Sequence, residues 1–178
     1  MIKLLATLCV ILLCSCGSAQ QQMVNLPHSS YAWQIKIGDE APDAERVSQA
    51  IIIFYRQWYH TFGDRQNKIK NNLDEIMIEW SSKKKVLTNI GHNIKGEKIN
   101  RGVVKGMALT PTYLWLRTNQ YKRVFASSLD HELVHVALWS QGCRAGDPDH
   151  EGDKYVCWKK QHTKFIQHLN KLLFKFDL

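Results

Sequence analysis

Two histidines and a glutamate form a short pattern whose residue types and spacing suit metal chemistry. The run is His131-Glu132-Leu133-Val134-His135. Because an α-helix turns once every 3.6 residues, two imidazoles four positions apart lie on one face and both reach one ion. Glu132 projects beside the first ligand, where its carboxylate can take a proton from a metal-bound water. The pattern predicts a hydrolytic zinc site with His131 and His135 as ligands and Glu132 as general base.

A catalytic zinc needs a third protein ligand and an open fourth position. His150 is the first candidate, because Gly146, Pro148 and Gly152 around it permit the chain to turn back under the helix. Glu151 is the rival third ligand, since a glutamate fills this place in some zinc peptidases. A helix with two surface histidines and no metal is the alternative interpretation of the whole pattern.

Two cysteines bracket the segment that carries His150. Cys9 and Cys14 lie in the expected export segment and Cys16 would carry a lipid, which leaves Cys143 and Cys157 in the body of the protein. An even pair in an oxidising compartment predicts a disulfide, which for a loop of about 15 residues contributes on the order of 3 kcal/mol. Two reduced cysteines, or an extra metal ligand, are the alternatives.

The start of the chain is typical of an exported lipoprotein. A lysine at position 3 precedes an apolar run from Leu4 to Leu13, which is too short for a membrane span of ~20 residues. The following Cys14-Ser15-Cys16-Gly17 resembles a bacterial lipobox, in which Cys16 carries the lipid. We expect a signal peptide over 1–15, a flexible tether over 16–40 and one domain over 41–178.

This start also predicts where the protein works. A lipid on Cys16 places it in the bacterial cell envelope, facing the periplasm or the exterior; a plain signal peptide predicts secretion instead. The chain has 24 Lys and Arg against 16 Asp and Glu, a formal net charge of +8. The excess is spread along the sequence, and its one tight run, Lys83-Lys84-Lys85, is interpreted as a solvated face. Contact with an anionic surface is the alternative; we expect no nucleic-acid partner and a monomer.

Three segments have apolar residues at helical spacing. The first begins at Pro42 and ends at Gly63, the second begins at Ser127 or Ser128 and ends near Gln141, and the third is the last helix. The predicted apolar stripes are Val47, Ile51, Phe54, Trp58 and Phe62 in the first helix, and Trp158, Phe165, Leu169, Leu172 and Phe176 in the last. His162 falls on the last stripe and is interpreted as a core histidine, with proximity to the metal site as the alternative.

The segments between these helices predict strands. Strands are expected at 75–80 and 106–111, a hairpin or loop at 86–102, and either a strand or a helix at 113–116. Ile76, Ile78 and Trp80 alternate on one face, and Pro111 should end its strand because it lacks an N–H. The order predicts an α+β domain with an N-terminal helix, a small mostly antiparallel sheet, the histidine helix and a C-terminal helix.

Between about Ile76 and His162 the chain resembles the SprT-like family of zinc metallopeptidases. The similarity covers a strand, a Leu-Thr-Pro segment, the histidine helix, the downstream histidine and an aromatic and basic helix start. The corresponding positions are 76–81, 107–111, 131–139, His150, Tyr155, Trp158 and Lys159. The resemblance implies a minimal zincin fold in which His131, His135 and His150 hold one zinc ion and Glu132 is the catalyst.

Three features depart from the family pattern. The loop before His150 is longer and is bracketed by cysteines, Glu151 separates His150 from the following glycine, and no second cysteine cluster follows. Family members that cleave DNA-bound proteins act inside cells, so that substrate is not transferred to a chain with an export segment. The expected function is a zinc metalloendopeptidase acting on protein or peptide substrates. The alternatives are a lipoprotein that uses zinc only for stability and binds a partner or envelope surface, and a zinc hydrolase of cell-wall peptides.

Overall fold

The computed structural model describes residues 21–25, 32–36, 44–92, 98–117, 125–143, 146 and 157–176. These ranges contain seven strands, four α-helices and a short 3-10 turn at Arg65–Asn67. The strands are β1 Gln21–Asn25, β2 Ala32–Lys36, β3 Met77–Ser81, β4 Lys85–His92, β5 Lys98–Val104, β6 Gly106–Thr110 and β7 Tyr113–Arg117. The helices are α1 Ala44–Phe62, α2 Lys68–Asp74, α3 Phe125–Ser140 and α4 Lys160–Lys175. No helix within the described ranges is long and apolar enough to cross a membrane.

Five strands form one sheet in the order β1-β2-β3-β7-β6, and β4 and β5 pair separately as a two-stranded ribbon. The pairings β2–β3 and β3–β7 are parallel, whereas β1–β2, β6–β7 and β4–β5 are antiparallel. The predicted α+β class with a small, mostly antiparallel sheet is therefore confirmed. Strand β6 ends the described sheet and packs against α3, which places this edge beside the two histidines.

One hydrophobic core lies between the sheet and the helices. The predicted stripe of α1 is buried, with Phe54 and Trp58 fully enclosed and Phe62 packed against them. In β3, Ile76 just before the strand and Ile78 within it are fully buried, as their alternation predicts. Burying large apolar side chains stabilises the fold by about 1.5–3 kcal/mol each, so this core holds α1, α3 and α4 in fixed positions.

Helices α4 and α2 differ from the sequence prediction. In α4 the buried positions are His162, Phe165, Leu169 and Leu173, whereas Phe176 is 59% exposed, so the stripe is turned by one residue near its end. Helix α2 was not predicted from its Lys- and Asn-rich sequence. Its Ile69 and Leu73, four residues apart, are both fully buried.

Strands β1 and β2 lie within the segment 16–40 that the sequence analysis interprets as a flexible tether. They pair with each other over five residues, and Ile35 of β2 is in register with Trp80 of β3. The alternation in Ala32-Trp33-Gln34-Ile35-Lys36 is typical of a strand. The signal peptide and Cys16 lie outside the described residues.

Candidate metal centre

The two histidines of the pattern lie side by side on α3. Their ring centroids are 5.1 Å apart at an interplanar angle of 67°. His135 is buried and His131 is half-buried, while Leu133, Val134 and Ala137 turn the opposite side of the helix into the core. The i, i+4 spacing therefore has the predicted consequence: the core fixes the helix, and both imidazoles face the same region.

The orientation of His135 is set by a backbone carbonyl. Its Nδ1 lies 2.6 Å from the carbonyl oxygen of Gly146. Because a carbonyl oxygen only accepts hydrogen bonds, Nδ1 carries the proton and donates it, so Nε2 is the ring nitrogen that carries the lone pair. Gly146 has φ +66°, and a Cβ there would overlap the backbone of His135. Only glycine brings this carbonyl so close to the ring.

Trp158 packs against both imidazoles. Its ring centroid lies 5.1 Å from that of His131 and 4.9 Å from that of His135. The indole Nε1–H donates to Thr163 Oγ1 at 3.1 Å, which orients the ring. The residue spacing predicts Trp158 on the apolar stripe of the last helix. In the structure Trp158 precedes α4 and covers one side of the histidine pair.

Glu132 is buried at the edge strand β6. Its side chain is 6% exposed, and burial raises its pKa to about 8 despite an opposing hydrogen bond from the backbone of Ala108. A Cβ on Gly106 would lie 2.7 Å from both Cγ and Oε1 of Glu132. The absence of a side chain at Gly106 therefore makes the room that this carboxyl occupies.

A cavity of about 340 Å³ opens at this carboxyl. Its walls contain both His131 and Glu132, together with residues from the start of β6 and from α3. The remaining lining residues are Val104, Lys105, Gly106 and Ser128. A peptide segment entering this cavity would meet the carboxyl of Glu132 and one of the imidazoles.

Both candidates for the third ligand, His150 and Glu151, lie outside the described residues. The ends of their segment are described, and both lie at the histidine pair. Cys143 and Cys157 are joined by the predicted disulfide, with Cα atoms 6.2 Å apart. Gly146 contacts His135 near one end, and Trp158 covers both rings at the other. Among the described residues, no group of three or more His, Cys, Asp or Glu side chains is arranged so that it could hold a metal ion.

Asp130 is a buried acid that the sequence analysis did not select. It is fully buried, and neither carboxyl oxygen has a hydrogen-bond partner among the residues that the structure describes. Burial raises its pKa well above the ordinary value of 3.8. The sequence does not distinguish Asp130 from the other acidic residues. Its burial depends on which side of α3 faces the core.

His162 is separated from the histidine pair by Trp158, whose ring centroid is 6.3 Å from its own, and Tyr113 lies in β7. The ring of His162 stacks on Trp58 with centroids 5.7 Å apart, and its Nδ1 accepts the backbone N–H of Lys159 at 2.9 Å. It is a core histidine at the start of α4, in agreement with the sequence interpretation. The hydroxyl of Tyr113 donates to Glu79 at 2.5 Å; burial and this carboxylate raise the pKa of Tyr113 to about 12.

Comparison of the chain with family models, with curated proteins and with solved structures finds no match. The geometry of the site and the sequence pattern are therefore the basis for its function.

Proposed function

We propose that this chain is a zinc-dependent metallopeptidase of the bacterial cell envelope with a zincin-like fold. His131 and His135 hold the metal, Glu132 is the general base, and the segment 144–156 supplies the third ligand, His150 in preference to Glu151. The observation that carries the proposal is the hydrogen bond from His135 Nδ1–H to Gly146. A ring N–H held by a carbonyl fixes the tautomer and orientation that a metal-binding imidazole needs.

The chemistry of the donors suits zinc. Two neighbouring imidazoles with a further histidine or carboxylate form the ligand set of many catalytic zinc sites, whereas Mg²⁺ and Ca²⁺ prefer oxygen donors. His131 also borders the cavity, so one side of the histidine pair is accessible to a substrate. A catalytic site requires that access, and a purely structural site does not.

A bound zinc would supply Lewis-acid activation, lowering the pKa of a water molecule to about 7. Glu132 takes the proton of the attacking water and then delivers it to the leaving amine. Burial raises the pKa of this carboxyl to about 8, so the carboxyl binds a proton tightly. A cation beside it would favour the ionised carboxylate, which is the form that accepts a proton from water. Gly106 and the backbone of Ala108 fix its position.

The proposed substrate is a protein or peptide, and the proposed location is the outer face of a membrane, to which a lipid on Cys16 anchors a monomeric enzyme. The position of the cavity beside β6, which has one neighbouring strand within the described sheet, supports a polypeptide substrate, because an extended chain can add to a sheet along its outer strand. The export signal in the sequence supports the location.

The proposal is tested by comparing Glu132→Gln with Glu75→Gln, a matched change at an exposed position. Zinc content and hydrolysis of a denatured-protein substrate are measured for both variants and for the wild type. Glu132→Gln should keep one zinc per chain and lose at least about 10²-fold in kcat, the usual contribution of a general base. Glu75→Gln should behave as wild type. Full activity in Glu132→Gln would remove Glu132 from the mechanism, and a zinc-loaded wild type without hydrolytic activity would leave the metal a structural role.

A further inference from the structure

Most of the net positive charge of the chain lies in the segment that contains the β4–β5 ribbon. Segment 82–105, which contains both strands, has seven Lys or Arg residues and a single acid, Glu97, so it holds +6 of the formal net charge of +8. In the sequence this charge is spread over two dozen residues. Antiparallel pairing, with Lys85 opposite Val104, folds the segment back on itself and brings its two basic ends together.

The base of the ribbon carries three exposed lysines, Lys83, Lys84 and Lys105. Within the part of the chain that the structure describes, no carboxylate pairs with them. These three ammonium groups are therefore available to a partner.

Lys85 and two valines complete the surface at the base. The Lys85 ammonium lies 4.3 Å from the ring centroid of Trp115, a cation–π contact that ties the ribbon to the sheet. Val86 and Val103 are cross-strand partners and are 44% and 49% exposed. The base of the ribbon thus presents an apolar pair beside a group of cations.

The ribbon base is also a wall of the candidate active-site cavity. Lys105 is the single residue between β5 and β6, and it lines the cavity with Val104 on one side and Gly106 on the other. The backbone carbonyl of Lys105 accepts the Arg117 N–H at 2.8 Å, which fixes this junction to β7. A chain that reaches Glu132 through this cavity passes Lys105 of the ribbon base.

We propose that the base of the β4–β5 ribbon is a docking site for an acidic segment of the peptide substrate. Lys83, Lys84 and Lys105 contact carboxylates of the segment, and the valine pair contacts an apolar side chain between them. The inference rests on the proposed function, because the cavity is taken as the place where the bond is cut. Three separate lysines match several acidic side chains better than one C-terminal carboxylate. An anionic membrane lying on these lysines would cover the cavity, so the geometry favours the peptide.

The test measures binding in the full chain carrying Glu132→Gln. The probe is a fluorescent, C-terminally amidated peptide with alternating glutamate and valine, compared by anisotropy with the same peptide carrying glutamine. The acidic peptide should bind more tightly, and Lys83→Gln/Lys84→Gln/Lys105→Gln should raise its Kd about tenfold, as expected for three exposed ion pairs. The matched triple Lys164→Gln/Lys171→Gln/Lys175→Gln on exposed positions of α4 removes the same charge and should change Kd by less than about twofold.

Three results would overturn the proposal. The first is equal binding of the acidic and glutamine peptides, and the second is an equal effect of the two lysine triples. The third is binding of phosphatidylglycerol vesicles through the ribbon lysines without binding of the acidic peptide, which would assign the ribbon to a membrane surface. If both triple variants unfold at the wild-type midpoint temperature, loss of fold is excluded as the cause of weaker peptide binding. Because Glu132→Gln is used throughout, peptide binding tests the ribbon, whereas an inactive wild type would refute the proposed function alone.

Discussion

Replacing Gly106 by alanine tests how closely the edge strand holds the carboxyl of Glu132. The new Cβ would lie 2.7 Å from Glu132 Cγ and Oε1 and 2.8 Å from Leu116 Cδ2. Ordinary van der Waals contact begins at 3.4 Å, so the Cβ must gain about 0.7 Å of distance from Glu132 and about 0.6 Å from Leu116. Leu116 is fully buried in β7, whereas Glu132 borders a cavity, so we expect the glutamate side chain to move further than the leucine. Gly106 is not among the glycines with positive φ, so the substitution adds bulk without straining the backbone.

The displacement has two expected consequences of different size. Overpacking a buried site costs about 1–3 kcal/mol, which lowers the unfolding free energy by that amount or less if the cavity absorbs the movement. Misplacing a catalytic group by about 1 Å can cost on the order of 10²-fold in rate. We therefore expect Gly106→Ala to lose about 10²-fold in kcat, while KM and zinc content change little because neither histidine is displaced.

The assay combines steady-state kinetics, zinc analysis and chemical denaturation on the same preparations. Gly63→Ala is the control, because its Cβ meets no atom within 4 Å but its φ of +76° makes any side chain unfavourable. It should lose stability by about 1 kcal/mol and keep its activity. Wild-type kcat in a folded Gly106→Ala protein would show that the position of Glu132 at β6 does not matter for the reaction and would refute the assignment of the general base.

Three further predictions follow from the surroundings of the histidine pair. Gly146→Ala displaces the carbonyl that orients His135 and should weaken zinc binding about 10–100-fold in a competition titration with a chromophoric chelator; an unchanged affinity would show that the hydrogen bond does not orient the ring. Reducing the Cys143–Cys157 disulfide should lower the unfolding free energy by about 3 kcal/mol in guanidinium titrations, with the double serine variant as the control that reductant does not affect; identical curves with and without reductant would contradict the closure of this loop. Burial raises the pKa of Asp130 in the folded chain above its value in the unfolded chain, which is near 3.8. With the metal removed by a chelator, the unfolding free energy is therefore highest below pH 3.8 and falls as the pH rises toward the pKa of the folded chain. Asp130→Leu should remove this loss, and its advantage over wild type in urea unfolding should grow by up to about 1.4 kcal/mol per pH unit above pH 4; an advantage independent of pH would show that the acid is not buried unpaired.

Local patterns in the sequence were sufficient to predict the helices and the strand that position the site. The spacing of Phe54 and Trp58 identifies α1, the alternation of Ile76 and Ile78 identifies the strand now seen as β3, and the run from His131 predicts a helical pair of imidazoles. In α1 and β3 the side chains that define the pattern are the ones that the core buries, whereas in α3 the core buries Leu133, Val134 and Ala137 and the histidines lie beside it. Periodicity works here because burial is repeated along one element.

The parts that the sequence did not predict depend on contacts between distant segments. The sequence of α2 is polar and does not predict a helix. Its first turn is stabilised by the Asp64 carboxylate, which accepts hydrogen bonds from the backbone N–H groups of Ile69 and Lys70 at 3.0 Å. Strands β1 and β2 have short patterns, and they become part of the sheet only because they pair with each other and β2 pairs with β3. The concentration of positive charge at the ribbon base likewise exists only after β4 and β5 have paired.

The site shows the same division between local and distant contacts. The identities of His131, Glu132 and His135 follow from their spacing, but the partner of each side chain comes from elsewhere in the chain. Gly146 was selected for its freedom to turn, and the structure gives it a specific role as the acceptor for His135. The closeness of Glu132 to Gly106 requires that β6 lie along α3, which periodicity does not reveal.

X-ray absorption at the zinc edge, on the full chain loaded with zinc, tests the central claim most directly. The account predicts one zinc per chain with imidazole nitrogens at about 2.0–2.1 Å, and the loss of one imidazole and most of the affinity in His135→Ala. Failure of the wild type to retain stoichiometric zinc, or an unchanged coordination shell in His135→Ala, would contradict it.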